Sequence, residues 1–389
     1  MFLINFNPKL DFRVIQIISD TNKSIAFEII AKGLKNANID IAYILLQNNE
    51  SAFSLFLKEN NIQYFLISIN GKKSYPLVIL KLYFLLRKLK PTIVHSHLRA
   101  ASILGTIASK FSFVKHIVYT RHHSTSNHQY NPHSVKWDRL INNLSTHIVS
   151  ISKNVSSVLI NKENVKSDKL TLIHHGFDLD KFKNPMSHKI NDLKNKYHIK
   201  HQNHPIIGVI SRYVELKGLQ YIIPAFAEIM NIYPSAHLVL ANTVGGDSKK
   251  IKTLLNSSLN EENYTEIVFE EDLYSLYGVF DFFVHTPIDN ELEAFGQTYV
   301  EALASKTPSV FTLSGVANEF IIHEENALVA PYCSDKAISG SLLRLMKNNA
   351  LCEKLILNGL KSVQSFSAKK HITNHINLYD KLCHQKDRK

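Results

Sequence analysis

Two acidic residues and a glycine frame a candidate binding loop in the second half of the chain. Glu293 comes just before Phe295-Gly296-Gln297, and Glu301 lies further on, inside a segment of good helix formers. The first amides of such a helix have no partners within it and carry the positive end of its dipole, so they suit a phosphate. Gly296 allows close backbone approach, and the two carboxylates can accept hydrogen bonds from hydroxyls such as those of a ribose. The alternative is a capped surface helix whose acidic residues favour its N-terminus.

Two cations form a second candidate site, earlier in the same half. Arg212 comes two residues after the end of the apolar run Ile206–Ile210, which is typical of a buried strand, and Lys217 comes just before the next helical segment. Two fixed positive charges at the end of a strand can neutralise a diphosphate leaving group without a metal ion. The alternative is a solvated loop that carries an arginine and a lysine by chance.

Several histidines occur in pairs, as in His95-Ser96-His97 and Arg121-His122-His123. Without carboxylates or cysteines at the usual spacing, these pairs do not predict a metal site. The three cysteines all lie near the C-terminus and exclude a disulfide framework, which favours a reducing compartment.

The chain has 389 residues, with a net charge of +12. Residues 1–190 carry a net charge of +14, whereas residues 191–389 carry −2. An excess of positive charge in one half suggests an anionic partner for that half, such as nucleic acid, a membrane face or a phosphorylated substrate. Lys9, Asp11 and Arg13 interrupt the N-terminal apolar residues, so no signal peptide is expected, and no run is long enough to span a bilayer.

Short β-branched runs alternate with amphipathic segments throughout the chain, starting with the strand Val14–Ser19. This alternation predicts an α/β protein with two doubly wound parallel sheets that face a cleft, and with ligands beyond the carboxyl ends of the strands. The polar, basic segment before Pro205 predicts a domain boundary. The expected regions are an N-terminal domain 1–184, a linker 185–204, a C-terminal domain 205–370, and a C-terminal helix 371–389 that returns to the first domain.

These segments together resemble the retaining glycosyltransferases of family four, which have the GT-B fold. The segments from Arg212 to Gly218, Asp281–Pro287 and Glu293 to Glu301 resemble the nucleotide-sugar signature of that family. Thr171–Phe182 resembles its segment near the domain crossover, and Val149–Ser152 resembles the strand before the last N-domain helix. The similarity runs in order from about Val14 to the C-terminal helix.

The resemblance implies a role for each of these residues toward a nucleoside-diphosphate sugar, with UDP or GDP as the nucleotide. Arg212 and Lys217 are expected to hold the donor diphosphate, and Glu293 to contact the donor sugar without attacking it. His122 matches a family histidine that points into the cleft near the transferring sugar. The remaining expected donor contacts are Glu301 at the ribose, the Phe295, Gly296 and Gln297 amides at the phosphates, and Phe269 beside the base. No metal or other cofactor is expected.

The basic first domain is expected to hold the acceptor. Arg121 and His123 are the candidate acceptor-binding residues, in a polar and aromatic stretch that also contains Tyr130, His133 and Trp137. That stretch lines an acceptor site or forms loop surface. The apolar segment Tyr75–Leu89 also carries basic residues, so it packs on the sheet or lies against anionic lipid.

Three features depart from the family pattern. The loop Ser19–Ser24 has no glycine where the family has a Gly-Gly pair, which leaves its contact with phosphate or acceptor open. Glu270 replaces the usual glycine after Phe269, and Ser314-Gly315 stands where a second Gly-Gly is usual.

The function implied by the resemblance is hexose transfer to a saccharide or polyprenyl-diphosphate-linked acceptor in bacterial surface polysaccharide or lipopolysaccharide synthesis. The protein is then expected in the cytoplasm, peripheral to the inner membrane. A sugar-nucleotide 2-epimerase on the same fold is one alternative. A non-catalytic nucleotide-binding or nucleic-acid-binding protein is another, although no recognised nucleic-acid module is present and a nucleic-acid partner is not expected.

Overall fold

The computed structural model describes residues 12–200 and 202–384. Lys9 and Asp11, on which the expectation of no signal peptide partly depends, lie outside the described residues. The last five residues of the predicted C-terminal helix also lie outside them.

The strands form two parallel sheets, one in each of two compact units. The first sheet contains β1 Arg13–Ser19, β2 Asp40–Leu46, β3 Gln63–Ile67, β4 Ile93–His97, β5 His116–Arg121, β6 His147–Ser150 and β7 Leu170–Leu172. The second contains β8 Ile206–Ile210, β9 His237–Ala241, β10 Tyr264–Ile267, β11 Phe282–His285, β12 Ser309–Phe311 and β13 Leu328–Val329. The prediction of two doubly wound α/β units with parallel sheets is therefore confirmed.

Helices connect the strands and cover the faces of the sheets. In the first half they are α1 Ile25–Asn36, α2 Ala52–Glu59, α3 Tyr75–Leu89, α4 Arg99–Phe111, α5 Ser126–Tyr130, α6 Pro132–Leu144, α7 Lys153–Ser157, α8 Leu179–Lys183 and α9 Ser187–Lys196. In the second half they are α10 Leu219–Met230, α11 Ser248–Ser258, α12 Leu273–Tyr277, α13 Gln297–Ala304, α14 Ala317–Phe320, α15 Asp335–Met346, α16 Asn349–Ser362 and α17 Ala368–His384.

Strand alternation divides the core of the first unit between the two faces of its sheet. Val14 and Ile18 of β1 belong to one apolar cluster with α1, α2 and α17, whereas Ile15 and Ile17 belong to another with α3 and α4. Successive side chains of a strand point to opposite faces, so a sheet covered on both sides needs such continuous apolar strands.

The strand order places a switch point in each sheet. The first sheet runs β3-β2-β1-β4-β5-β6-β7 and the second β10-β9-β8-β11-β12-β13. The order reverses between β1 and β4 and between β8 and β11, and the crevice outside the carboxyl ends at such a point is where open α/β sheets bind ligands.

The unit boundary differs from the predicted one. The first unit consists of residues up to Phe177 with those from Ala368 onward, and the second is Asp178–Ser367. The predicted linker contains α9, which packs within the second unit because Leu193 is buried and the Lys196 ammonium lies 2.7 Å from the Glu270 carboxylate. The basic composition of this segment conceals its apolar face.

Helix α3 packs on the first sheet through Val78, Leu82 and Leu86. Its opposite face exposes Leu77, Leu80 and Phe84. No helix in the described residues is long and apolar enough to cross a membrane.

Candidate functional site

Loops after β8, β11 and β12 meet at the switch point of the second sheet. The Ile288 amide donates to the Leu216 carbonyl at 3.2 Å, which joins the first two loops. Gly218 has φ +76, and a Cβ there would lie 1.9 Å from the carbonyl oxygen of Thr286. Only glycine therefore allows the loop that carries Lys217 to approach the end of β11 so closely.

The third loop holds the segment around Glu293. The Ser314 hydroxyl accepts a hydrogen bond from the Glu293 amide at 3.1 Å, and the Val316 amide donates to the Phe295 carbonyl at 2.9 Å. Gly315 has φ +59, and a Cβ there would lie 2.8 Å from the Cβ of Glu293. The Ser314-Gly315 pair thus fixes the position of the Glu293 backbone.

Glu293 is the centre of a partly buried charge cluster. The Lys217 ammonium donates to Glu293 Oε1, and His285 Nε2 lies 3.3 Å from the same oxygen. Burial by itself raises the pKa of Glu293, but the Lys217 charge and the His285 ring outweigh it and hold the pKa well below its usual range. Burial lowers the pKa of His285, in part offset by the carboxylate. Glu293 is therefore an ionised acceptor, unsuited to donating a proton.

Glu301 lies on the buried side of α13, and only 6 % of it is exposed. The Tyr277 hydroxyl donates to Glu301 Oε2 at 2.9 Å. Burial raises the pKa of Glu301 to about 7, and the tyrosine bond offsets part of that effect. The pKa values of the two carboxylates in the Glu-x7-Glu motif are thus shifted in opposite directions, that of Glu293 downward and that of Glu301 upward.

The short segment before α13 has a mixed environment. Phe295 is buried against Phe366, with ring centroids 5.9 Å apart, whereas Gln297 is exposed. Gly296 has φ +86, and a Cβ there would lie 2.5 Å from the Tyr299 ring. Its glycine is thus required by backbone conformation and by packing on Tyr299, in addition to any approach to a ligand.

Arg212 and Phe269 both extend to the surface. Arg212 follows β8, is exposed, and its guanidinium has no hydrogen-bond partner among residues 12–200 and 202–384. The Phe269 ring is 66 % exposed. The next residue, Glu270, accepts hydrogen bonds from the Lys196 ammonium at 2.7 Å and the Tyr197 hydroxyl at 2.6 Å. This carboxylate ties the Phe269 loop to α9 where the family usually has a glycine.

A hydrogen-bonded relay holds His122 near the switch point of the first sheet. His122 Nε2 lies 3.4 Å from His97 Nδ1, and His97 Nε2 lies 2.8 Å from Gln16 Oε1. The Gln16 amide nitrogen donates to the Tyr379 hydroxyl at 2.8 Å, and that hydroxyl lies 2.8 Å from His95 Nδ1.

These contacts determine the tautomers of His97 and His122. Gln16 Oε1 can only accept, so His97 carries its proton on Nε2 and uses Nδ1 as an acceptor. His122 then donates from Nε2 and keeps Nδ1 as a lone-pair acceptor for a hydroxyl. Burial, with smaller effects of His123 and His371, lowers the pKa of His122 to about 4, so the ring is neutral.

The structure places Arg121 in the interior instead of at an acceptor surface. Its guanidinium is 1 % exposed and pairs with Glu163 at 2.5 Å and Asp138 at 3.4 Å. His123 Nε2 lies 3.2 Å from the same Asp138 carboxylate and is partly buried. These contacts occupy both expected acceptor residues in a structural network, because a buried arginine needs carboxylate partners.

The loop after β1 reverses the chain without a glycine. Asp20 adopts φ +50, a conformation that usually favours glycine. The Ser24 hydroxyl accepts a hydrogen bond from the Phe27 amide at 3.4 Å and caps α1.

In the described part of the chain, no group of three or more histidine, cysteine or acidic residues is arranged to hold a metal ion.

Sequence reasoning missed His285, Tyr277 and Ser314 in the second unit and Gln16 and Tyr379 in the first. His285 and Gln16 carry a readable signal, since each is a polar residue in an otherwise apolar strand. Tyr277 and Tyr379 lie on amphipathic helices, where a buried tyrosine is not distinguished from any other core aromatic residue.

Two family comparisons together cover most of the chain. Residues 29–181 match glycosyltransferase family 4, and residues 191–362 match the group 1 glycosyl transferases.

Individual relatives agree with these families. The capsular polysaccharide biosynthesis glycosyltransferase CapM of Staphylococcus aureus is 24 % identical over 80 % of this chain and 87 % of its own length. Mannosylfructose-phosphate synthase of Agrobacterium fabrum is 29 % identical over 41 % of this chain and 37 % of its own length. Anabaena HepE, solved with UDP and glucose, superposes with a TM-score of 0.79 at 19 % identity, over 95 % of this chain and 99 % of that one.

Three observations lead to one assignment: the two parallel-sheet units, the Glu-x7-Glu segment beside the Lys217 loop, and the family matches in both units. The chain belongs to glycosyltransferase family 4, the group 1 glycosyltransferases with the GT-B fold.

Proposed function

We propose that this glycosyltransferase moves a hexose, with retention of anomeric configuration, from a nucleoside-diphosphate sugar to a saccharide hydroxyl. The observation that carries the proposal is the cluster of Lys217, His285 and Glu293 at the switch point of the second sheet. It combines the Lys217 ammonium, a positive charge for a departing diphosphate, with an ionised Glu293 carboxylate for the sugar hydroxyls.

The positive groups account for the departure of the diphosphate. Charge develops on the leaving group in the transition state, and preorganised cations stabilise it more than they stabilise the bound donor. Arg212 has no carboxylate partner among the described residues, and the amides that begin α13 add the positive end of a helix dipole. These groups supply the charge that a divalent cation would otherwise provide, so we propose that transfer needs no metal ion.

Glu293 then positions the sugar, because a carboxylate with so low a pKa accepts hydrogen bonds and stabilises positive charge at the anomeric carbon. His122 offers Nδ1 as an acceptor for a sugar hydroxyl. Glu301 binds the ribose hydroxyls and Phe269 stacks beside the base. UDP is the proposed nucleotide, since HepE has been solved with UDP and with UDP-glucose.

The proposed acceptor is a lipid-linked saccharide at the inner membrane, in the synthesis of a surface polysaccharide. The similarity to CapM supports the polysaccharide, and the exposed face of α3 supports the membrane. On that face Leu77, Leu80 and Phe84 alternate with the exposed cations Lys81 and Lys88. Apolar side chains flanked by cations are the pattern of a helix that binds an anionic bilayer surface.

A donor panel tests the proposal. The full chain is incubated with UDP-, GDP- and ADP-sugars, with and without a saccharide acceptor and with and without EDTA, and products are identified by chromatography and NMR. We expect UDP release and an α-linked product from an α-linked donor, unchanged by EDTA. An inverted product overturns retention, and loss of activity in EDTA overturns metal independence. An epimer formed without acceptor indicates the epimerase, and binding without turnover indicates a non-catalytic protein.

A further inference from the structure

A cavity lies in the first unit. It has a volume of about 590 Å³ and opens where the starts of α3, α4 and α6 come together. Its lining consists of Lys72, Tyr75, Arg99, Ile103, Asn131, His133, Ser134 and Trp137.

The lining carries positive charge and no acidic residue. Lys72 is exposed and has no ion-pair partner in the described residues. Arg99 donates from Nη1 to Asn127 Oδ1 at 3.1 Å, which orients the guanidinium and leaves its other nitrogens available. Two cations without carboxylates suit an anionic group, and arginine can bind phosphate oxygens in a bidentate manner.

The start of α6 adds to this positive potential. This helix is 13 residues long, and its N-cap Asn131 makes no side-chain hydrogen bond to the first-turn amides. Asn131, His133 and Ser134 belong to that end of the helix and line the cavity. The positive end of the helix dipole therefore reinforces Lys72 and Arg99.

The cavity lining also contains aromatic rings that can contact a sugar ring. Tyr75 is half-buried, and Trp137 is 48 % exposed. A pyranose ring has faces of C–H groups, and these pack well on the negative face of an aromatic ring. A surface with cations and partly exposed aromatic rings therefore suits a sugar bearing an anion better than it suits an inorganic anion.

We propose that this cavity binds the phosphorylated sugar of the acceptor, with the phosphate at Lys72 and Arg99 and the ring on Trp137. The proposal rests on the proposed transferase function and adds the chemical class of the acceptor. It also assigns acceptor recognition to residues other than Arg121 and His123. The exposed apolar face of α3 begins next to Tyr75, so the same phosphate can belong to a soluble sugar phosphate or to a lipid-linked one.

The test uses Trp137, which is the only tryptophan of the chain and reports directly on the cavity. The full chain is titrated with glucose 1-phosphate, glucose and inorganic phosphate while tryptophan fluorescence is recorded. We expect saturable quenching by glucose 1-phosphate, with glucose and phosphate each binding at least about tenfold more weakly. Equal binding of inorganic phosphate, or unchanged fluorescence with both glucose 1-phosphate and the polyprenyl-linked sugar phosphate described below, overturns the proposal.

Matched variants locate the phosphate and the ring. Lys72→Glu is expected to raise the Kd by at least about tenfold, whereas Lys73→Glu makes the same charge change one residue away from the lining. For the ring, Trp137→Ala is compared with Tyr130→Ala by calorimetry, since Tyr130 is an exposed aromatic outside the lining. Equal effects within either pair contradict the assignment, and circular dichroism checks that each variant folds.

Two further experiments distinguish a lipid-linked from a soluble sugar phosphate, and the cavity proposal from the proposed transferase function. A polyprenyl-linked glucosyl phosphate in micelles is compared with glucose 1-phosphate, and tighter binding of the former identifies the lipid-linked source. Quenching by phosphatidylglycerol vesicles without sugar, at equal strength, overturns sugar-phosphate recognition. If UDP raises Tm but no sugar phosphate quenches the fluorescence, only the proposed binding in the cavity is rejected. If a sugar phosphate quenches the fluorescence but UDP does not change Tm, the proposed donor site is rejected instead.

Discussion

The Tyr277 hydroxyl donates a hydrogen bond to Glu301 Oε2 at 2.9 Å, inside the second unit. Burial raises the pKa of this carboxyl to about 7, and the tyrosine hydrogen bond offsets part of that effect. Ribose hydroxyls can only donate to it fully when it is ionised. For the proposed ribose contact of Glu301, we therefore expect nucleotide binding and ionisation of this carboxyl to be coupled.

The first prediction follows from this coupling. UDP is expected to bind more tightly as the pH rises from about 6 to about 8, with release of a proton, because ligand binding favours the ionised carboxylate. Calorimetry in buffers of different ionisation enthalpy measures the released proton directly. In Glu301→Gln the affinity is expected to fall and the proton release to vanish. A variant that still releases the proton assigns the titration to another group.

Stability has the opposite pH dependence, and it forms the second prediction. The pKa of Glu301 is raised on folding, so its favourable contribution is complete below the unfolded pKa and is lost as the pH rises through about 7. At about pH 8, Glu301→Gln is expected to be more stable than the native chain by on the order of 1–3 kcal/mol. Denaturant unfolding of both chains at about pH 5 and about pH 8 measures the difference, which should shrink at the lower pH.

Lys217 gives the third prediction. Lys217→Met is expected to lower kcat by about 10²–10³, because one preorganised charge on the diphosphate is lost and Glu293 loses its partner. Lys252→Met removes an exposed charge from α11 and serves as the control. A Lys217→Met rate close to that of the control removes Lys217 from the reaction.

The sequence predicted those parts of the site that lie close together along the chain. The loops after β8 and β11 follow apolar strands, and Glu293 and Glu301 belong to one loop and helix, so local spacing determines their arrangement. The approach of His285 to Glu293 depends on how the loop folds back, and the spacing does not encode it. In the sequence, Gly315 is notable only because Ser314-Gly315 replaces the usual Gly-Gly pair of the family. In the structure, its positive φ brings its loop against Glu293.

Partners distant in sequence account for the wrong expectations about Arg121. Its carboxylate partner Glu163 lies 42 residues further on, after the three helices α5, α6 and α7 and the strand β6. From its neighbours in sequence, Arg121 is an arginine at the end of a strand beside two histidines. That pattern is equally compatible with an exposed binding site. The predicted linker differs from the structure for a similar reason, since the Glu270 partner of Lys196 lies 74 residues away.

The buried position of Arg121 makes the fourth prediction one about stability. Arg121→Met leaves Glu163 and Asp138 without their cation, and breaking a buried ion pair in this way costs about 3–5 kcal/mol. Chemical denaturation should show this loss, whereas Arg139→Met at an exposed position of α6 should change stability little. Normal stability combined with a raised KM for the acceptor would restore Arg121 to the acceptor site.

The last prediction concerns the relay behind His122. Gln16→Leu removes the acceptor that keeps the proton on His97 Nε2, so His97 is free to protonate Nδ1 instead. His122 then loses the acceptor for its own Nε2–H and populates both tautomers, which leaves Nδ1 unavailable to a sugar hydroxyl for part of the time. Nitrogen NMR of the histidine rings should show one tautomer of His122 in the native chain and a mixture in the variant, together with a lower kcat. Tyr43→Phe is the control, because the Tyr43 hydroxyl is buried in the same core and has no hydrogen-bond partner among the described residues. A lower kcat in Gln16→Leu without any tautomer change would make Gln16 a packing residue, since loss of packing alone does not move the proton between the two ring nitrogens.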